Sequence, residues 1–300
     1  MIALLGKGGA GRTSVCAGLA VMAARRGMRT LVMETDPRVP IAAAYDQAPS
    51  FKPRQLAANL WTMLLDRQQS LEEYLSFVVA RPLLRAVFAS TLYQYFVHAA
   101  PAVRELMMMG KVYHEIERRP PKDPRWDLIV VDLPASGQAL GMIAMPFAAR
   151  ETFGNNLVGR EAEEVGRFFR DRAKCAMVIV TSVDQLAITE TLEVHRKLAA
   201  LELATAAVVF NRMSRATFEA ADVARMFERG SPAARLKHRE DFAALAQADL
   251  NRRVRERRAL GILKRAIGAP IIQLGEYRGR CGPALAASLA GQLAATAGIA

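Results

Sequence analysis

The stretch GKGGAGRTS, Gly6 to Ser14, gathers four glycines, two cations and two hydroxyls into nine residues. Gly6, Gly8 and Gly11 fit the spacing G-x-G-x-x-G, which lets backbone amides hold the pyrophosphate of a dinucleotide. The same residues fit G-x-x-x-x-G-K-[ST], the loop that cradles a nucleoside triphosphate, with Arg12 in the lysine position. A glycine loop that opens a helix attracts phosphate in either class, because the helix N-terminus carries partial positive charge. The glycines alone therefore leave both nucleotides open. Glu34, some twenty residues further on, even suits the ribose-binding acid of a dinucleotide fold.

Three features decide against the dinucleotide. Arg12, Thr13 and Ser14 follow Gly11 directly. A triphosphate site needs a cation against the β- and γ-oxygens and a hydroxyl on Mg²⁺, and a dinucleotide site needs neither at this place. Lys7 puts a second cation inside the loop. The apolar run LIVVDLP ends in Asp132, where a carboxylate can hold Mg²⁺ through water. Together these favour ATP or GTP with Mg²⁺ over NAD.

The elements that must position these groups follow from the patterning. Ile2 to Leu5 is a short apolar run before glycine, as in a buried parallel strand. A helix from Ser14 is stopped by Gly27, and TLVMETD (Thr30 to Asp36) is a second strand ended by Pro37. Further strands are expected at 126–134, 175–182, 206–213 and 269–276. Helices are expected at about 160–172, 184–202, 214–267 and 283–298. Residues 55–119 show helical periodicity broken at Pro82 and Pro101, and are expected to form a strand-free helical subdomain inserted between strands. The whole predicts one α/β domain over 1–300, a doubly wound, mostly parallel sheet of the P-loop NTPase kind.

Bulk properties exclude more than they assign. The apolar opening is too short for the core of a signal peptide, and no uncharged run approaches the ~20 residues of a membrane span. Cys16, Cys175 and Cys281 lie far apart, as expected of reduced thiols in a cytoplasmic protein. His98, His114, His195 and His238 show no metal-ligand spacing. The net charge of +12 is carried mostly by scattered arginines. The run NRRVRERRALGILKR, residues 251–265, reads as a solvated helix face or as a docking surface for something anionic.

At this resolution of motif the chain resembles the ArsA-type ATPases, the arsenite-pump and tail-anchored-protein targeting branch of the deviant Walker-A dimeric ATPases. GKGGAGRTS resembles their deviant phosphate loop with its extra signature lysine. ETDPRVP resembles the first switch, and VVDLPASGQAL is in register with the second switch, D-T-A-P-T-G-H-T-L, from Asp132 to Leu140. HAAPAVRELMMMGKVYHEI, VTSVDQLAITETLEVHRKL, VVFNRM and IIQLGEYRG resemble later segments in the right order. The resemblance implies that Gly6, Gly8, Gly9, Ala10 and Gly11 present amides to ATP phosphates, with Arg12 as the loop cation. It implies Thr13 on Mg²⁺, Ser14 at the α-phosphate, and Asp132 on the metal's water shell. Lys7 would reach across a two-fold dimer to the partner's ATP. Asp36 would orient the attacking water, and Asn211, beside Arg212, would read adenine.

The departures from the family pattern are equally specific. Arg12 replaces a lysine, and a planar fork is no conservative stand-in for a point charge in a tight cradle. Gln138 and Ala139 replace the His-Thr of the second switch. The C-x-x-C of the targeting factors is absent, only about forty residues separate Gly137 from Val178, and one ATPase unit matches where the arsenite pump has two. Three functions follow. The first is a Mg²⁺-dependent ATPase, a homodimer or hetero-dimer subunit switched by nucleotide, acting on a protein or membrane-complex client from the cytoplasm or the membrane periphery. The second is a nucleotide-binding regulator in which Arg12 has cut turnover. The third, a partition-type ATPase binding DNA or membrane through residues 252–265, fits the register least, which disfavours a nucleic-acid partner. Met107, Met108 and Met109 are either a sulfur-rich client patch or core.

Overall fold

A computed structural model describes residues 1–38, 40–78, 83, 101–117, 125–215, 218–228 and 238–296. Its centre is an eight-stranded sheet in the order β3-β4-β2-β5-β1-β6-β7-β8. The strands are β1 (Ile2–Gly6), β2 (Thr30–Glu34), β3 (Arg54–Ala57), β4 (Leu60–Leu64), β5 (Leu128–Asp132), β6 (Ala176–Thr181), β7 (Thr205–Met213) and β8 (Ile271–Gly275). Every pairing is parallel except that of β3 with β4.

Alternate residues of the central strands feed two cores, as the two-residue period of a strand requires. Ala3 and Leu5 of β1 join Met33, Val131 and Ile179 on one face, while Leu4 joins Val32, Val130 and Val178 on the other. The second face is covered by α1 (Arg12–Arg25) and α9 (Gly282–Thr296), whose Val15, Ala20, Leu289 and Leu293 complete that core. The first face is covered by α3 (Pro101–Glu117), α4 (Ser136–Phe153), α5 (Leu157–Arg170) and α6 (Gln185–Ala200). Beyond them α8 (Arg239–Ala266) sets Ala259 and Leu263 against Val208 and Phe210 of β7. The doubly wound α/β architecture expected from the sequence is what the chain adopts.

The block expected to be strand-free is not. Residues 54–57 and 60–64 form the β3–β4 hairpin, turned at Asn59 in the left-handed region. The run RQLAANLWTML mixes apolar and polar residues so that either period fits, and here pairing of β4 with β2 decides. Arg54 and Gln55 keep the edge strand polar. The helical part begins at α2 (Arg67–Val78), which packs Leu71 against Leu106 and Met107 of α3. Lys111 of α3, nearly buried, donates to Glu73 of α2 at 2.8 Å and to Glu115 at 3.0 Å. Met107, Met108 and Met109 are all buried, so the triplet is core packing and presents no sulfur-rich surface. Residues 79–82, 84–100, 118 and 119 of the expected block lie outside the described residues. An 18-residue helix, α4, fills the stretch in which no helix was anticipated before residue 160. Among the described residues no helix is long and apolar enough to cross a membrane.

Candidate nucleotide site

The C-terminal ends of the parallel strands converge on the loop between β1 and α1, the edge of an open α/β sheet where ligands bind. Gly6 ends β1 with φ 147°, and a Cβ there would stand 2.1 Å from the carbonyl oxygen of Val180 on β6. Gly11 precedes α1 with φ 85°, and its Cβ would stand 2.4 Å from Asn211 Nδ2. Both positions demand glycine, for backbone conformation and for space. Among the described residues no side chain caps α1, and its first turn carries no acid. The amides that open the helix are thus left for an anion.

Behind the loop, β7 supplies two braces. Asn211 is buried, and its Nδ2 donates to Ala10 O at 2.9 Å. Arg212 adopts φ 58°, a conformation that costs an arginine of order 1–3 kcal/mol, and its guanidinium donates to Gly9 O at 3.0 Å. The strained residue is held from outside. Arg252 of α8 donates to the Arg212 carbonyl and to Glu256 and Glu276, while Glu256 accepts from the Ser214 amide and hydroxyl. Arg252 and Arg253 therefore face inward, unlike Arg255, Arg257, Arg258, Lys264 and Arg265. The basic run is only in part the solvated face read from its spacing.

Thr13 Oγ1 donates to Asp132 Oδ2 at 2.5 Å, and Arg12 Nε donates to Asp132 Oδ1 at 2.8 Å. Arg12 also donates to Gly6 O at 2.9 Å. Thr13 and Asp132 come from α1 and β5, so two hard oxygen donors of the kind Mg²⁺ takes are brought together. Among the described residues no cluster of three or more His, Cys, Asp or Glu offers an alternative metal centre. Lys7 Nζ donates to Asp184 Oδ2 at 2.6 Å, and Asp184 also caps α6 by accepting from the Leu186 amide. The Lys7 hydrogen bond, with that cap, holds the Asp184 carboxyl below its usual range.

Asp36, after β2, accepts from the Arg38 amide at 3.0 Å and from its guanidinium at 2.9 and 2.7 Å. Those bonds bring its pKa down to about 2. Ser14 is half-buried in the first turn of α1, beside Thr13. Glu34, the acid that spacing offered to a ribose, is only 3 % exposed. It accepts from the Ile41 amide and the Thr62 hydroxyl, each at 2.5 Å, and burial raises its pKa. It ties β2 to β4 and to the short 3₁₀ helix Ile41–Tyr45, so its carboxylate is engaged inside the fold rather than offered to a ribose.

Sequence reasoning missed Asp184 as the partner of Lys7, Arg38 as the partner of Asp36, and the Arg252–Glu256–Glu276 brace. Only Asp184 left a local trace, as an acid just before a helical run, an N-cap signal.

The sheet and the glycine loop at its edge define a P-loop NTPase fold. The family model of the anion-transporting ATPases, the ArsA type, matches residues 1–162, more than half of the chain, and the chain belongs to that family. It is similar to ATPase BagA of Mycobacterium tuberculosis, 27% identical over 238 residues, covering 74% of this chain and 68% of the relative. It is also similar to ATPase ASNA1 homolog 1 of Paramecium tetraurelia, 24% identical over 143 residues, covering 47% and 42%.

Proposed function

We propose that this protein binds ATP with Mg²⁺ at the β1–α1 loop and hydrolyses it to ADP and phosphate as a nucleotide-switched dimer. The observation that carries the reading is the meeting of an uncapped helix N-terminus with the Thr13 hydroxyl and the Asp132 carboxylate at one strand edge. Amides of Gly8 to Gly11 receive the β- and γ-phosphates, and Ser14 the α-phosphate. Thr13 and the water shell on Asp132 hold Mg²⁺, which supplies charge neutralisation on the phosphoryl oxygens. The second amide hydrogen and the Oδ1 of Asn211 read the adenine edge, the first hydrogen being committed to the loop. Arg212 adds positive charge beside Gly9. Asp36, ionised throughout the neutral range, accepts a hydrogen bond from the attacking water and aims it.

Lys7 completes the partner's site across the dimer once it leaves Asp184. The helical part, α2 with α3, transmits nucleotide state to a protein or membrane-complex client. The protein works in the cytoplasm or at the membrane periphery. Single-turnover hydrolysis tests the core of this reading. Asp36→Asn should bind ATP yet lose at least about a hundredfold in rate, the usual share of a water-orienting group. A wild type no faster than Asp36→Asn would overturn hydrolysis.

One observation favours a second reading, a nucleotide-binding regulator with little turnover. Arg12, in the position of the phosphate-facing lysine, is engaged by Asp132 and Gly6 O. A gain in rate on Arg12→Lys over a near-silent wild type would select it.

A further inference from the structure

Arg12 is the first residue of α1, and its guanidinium is spent on two strand ends. Nε donates to Asp132 Oδ1 and Nη1 to Gly6 O, at 2.8 and 2.9 Å. These acceptors end β5 and β1, which pair side by side with Leu4 opposite Asp132. The side chains of Arg12 and Asp132 are only 12% and 7% exposed. The other Asp132 oxygen is engaged by Thr13. Both oxygens of one nearly buried carboxylate are therefore held by the two residues that follow Gly11.

A carboxylate removed from water is costly unless a positive charge stands beside it. Arg12 is that charge. A divalent ion whose water shell used the same carboxylate would bring two more positive charges within a few ångströms of the guanidinium. Either the metal is disfavoured, or Arg12 must leave and find another anion. A lysine could not hold the same place. The atom at the position of Nε would be a methylene, and the nitrogen would sit only at the tip, so the paired bonds to Asp132 and Gly6 O depend on the fork of arginine.

We propose that Arg12 is a resident counter-ion of Asp132 that competes with the divalent metal for that carboxylate, making nucleotide binding weakly metal-dependent. In this role Arg12 positions Asp132 and regulates its access. The inference rests on the nucleotide reading above. It extends that reading by assigning the arginine a function that a lysine in the loop does not have.

The test compares the affinity for a fluorescent N-methylanthraniloyl ADP in EDTA and in saturating Mg²⁺, for wild type and Arg12→Lys. The expected wild-type ratio is below about threefold, and the ratio for Arg12→Lys about tenfold larger, within the ordinary range for two ligands coupled through one group. Equal ratios, or a larger one in the wild type, would overturn the proposal. Should Arg12→Lys fail to fold, the wild-type ratio still decides, since a gain above about tenfold from Mg²⁺ contradicts a resident counter-ion. Absence of nucleotide binding in both buffers would instead overturn the nucleotide reading, and this inference with it.

Discussion

Lys7 and Asp184, 177 residues apart in sequence, form a 2.6 Å ion pair within one chain, across the ends of β1 and β6. The lysine that the loop could offer to a second copy is thus held in cis by the N-cap of α6. The pair is partly exposed, at 23% and 51%, so water and salt screen it and little holds it closed.

Asp184→Asn removes the charge that holds Lys7 and keeps a side chain able to cap α6. Self-association in the presence of ATP, followed by sedimentation velocity, should then need less ATP, by up to about fivefold for a solvent-screened pair. A midpoint unchanged, or moved to higher ATP, would mean that the cis pair does not compete with dimerisation.

Gly11→Ala sets a methyl group 2.4 Å from Asn211 Nδ2, at a backbone φ that alanine resists. The left-handed conformation alone costs roughly 1–2 kcal/mol, and the clash displaces the brace on Ala10 O. Nucleotide affinity measured by calorimetry should fall at least about tenfold, while the melting temperature falls by only a few degrees. Equal affinities would show that the loop carries no ligand.

How far the sequence could be read depends on whether a contact is local. The loop, Asp36 and Asp132 could be placed together because a parallel sheet puts the residues after its strands at one edge, so finding the strands located the candidate site. Contacts between distant segments left no such mark. Nothing in the sequence joins Lys7 to Asp184, or Arg252 to the carbonyl of Arg212. Glu34 misled for the opposite reason. Its spacing suits a ribose, but β2 has β4 and β5 on its two sides, and its acid is drawn into the hairpin that the mixed pattern of residues 54–64 concealed.

Glu34, the last residue of β2, and Asp36 just beyond it respond to pH in opposite directions. Arg38 lowers the Asp36 pKa from 3.8 to about 2, so this contact stabilises the fold fully above about pH 4 and is lost as the pH falls toward 2. Burial raises Glu34 above its ordinary 4.5. Its folded form is favoured when protonated, so that contribution is present below pH 4.5 and is lost as the pH rises through the raised value. Glu34→Gln keeps an oxygen for the Ile41 amide and removes the buried charge. Its stability relative to wild type, from urea unfolding, should improve from pH 4.5 to pH 8. A difference that is flat, or that favours wild type at pH 8, would contradict the burial argument. Carboxyl NMR titration of Asp36 should move its midpoint upward in Arg38→Ala.

The arginines of α8 are expected to separate into two kinds. Arg252 reaches Glu256, Glu276 and the carbonyl of Arg212, and Arg212 in turn lies on Gly9 of the loop. Arg252→Ala leaves Glu256, a carboxylate only 2% exposed, without its cation, and such orphaned buried charges typically cost 3–5 kcal/mol. It also frees Arg212 to leave its strained conformation, withdrawing the guanidinium from the loop. Both the melting temperature and the nucleotide affinity should fall. Arg257 is exposed, and Arg257→Ala should leave both within about 0.5 kcal/mol of wild type, as surface substitutions do. Thermal unfolding with and without nucleotide measures the two effects together. If Arg257→Ala instead lowers nucleotide affinity as far as Arg252→Ala does, the site is fed by the general charge of the helix, and the brace through Arg212 is not what connects α8 to the loop.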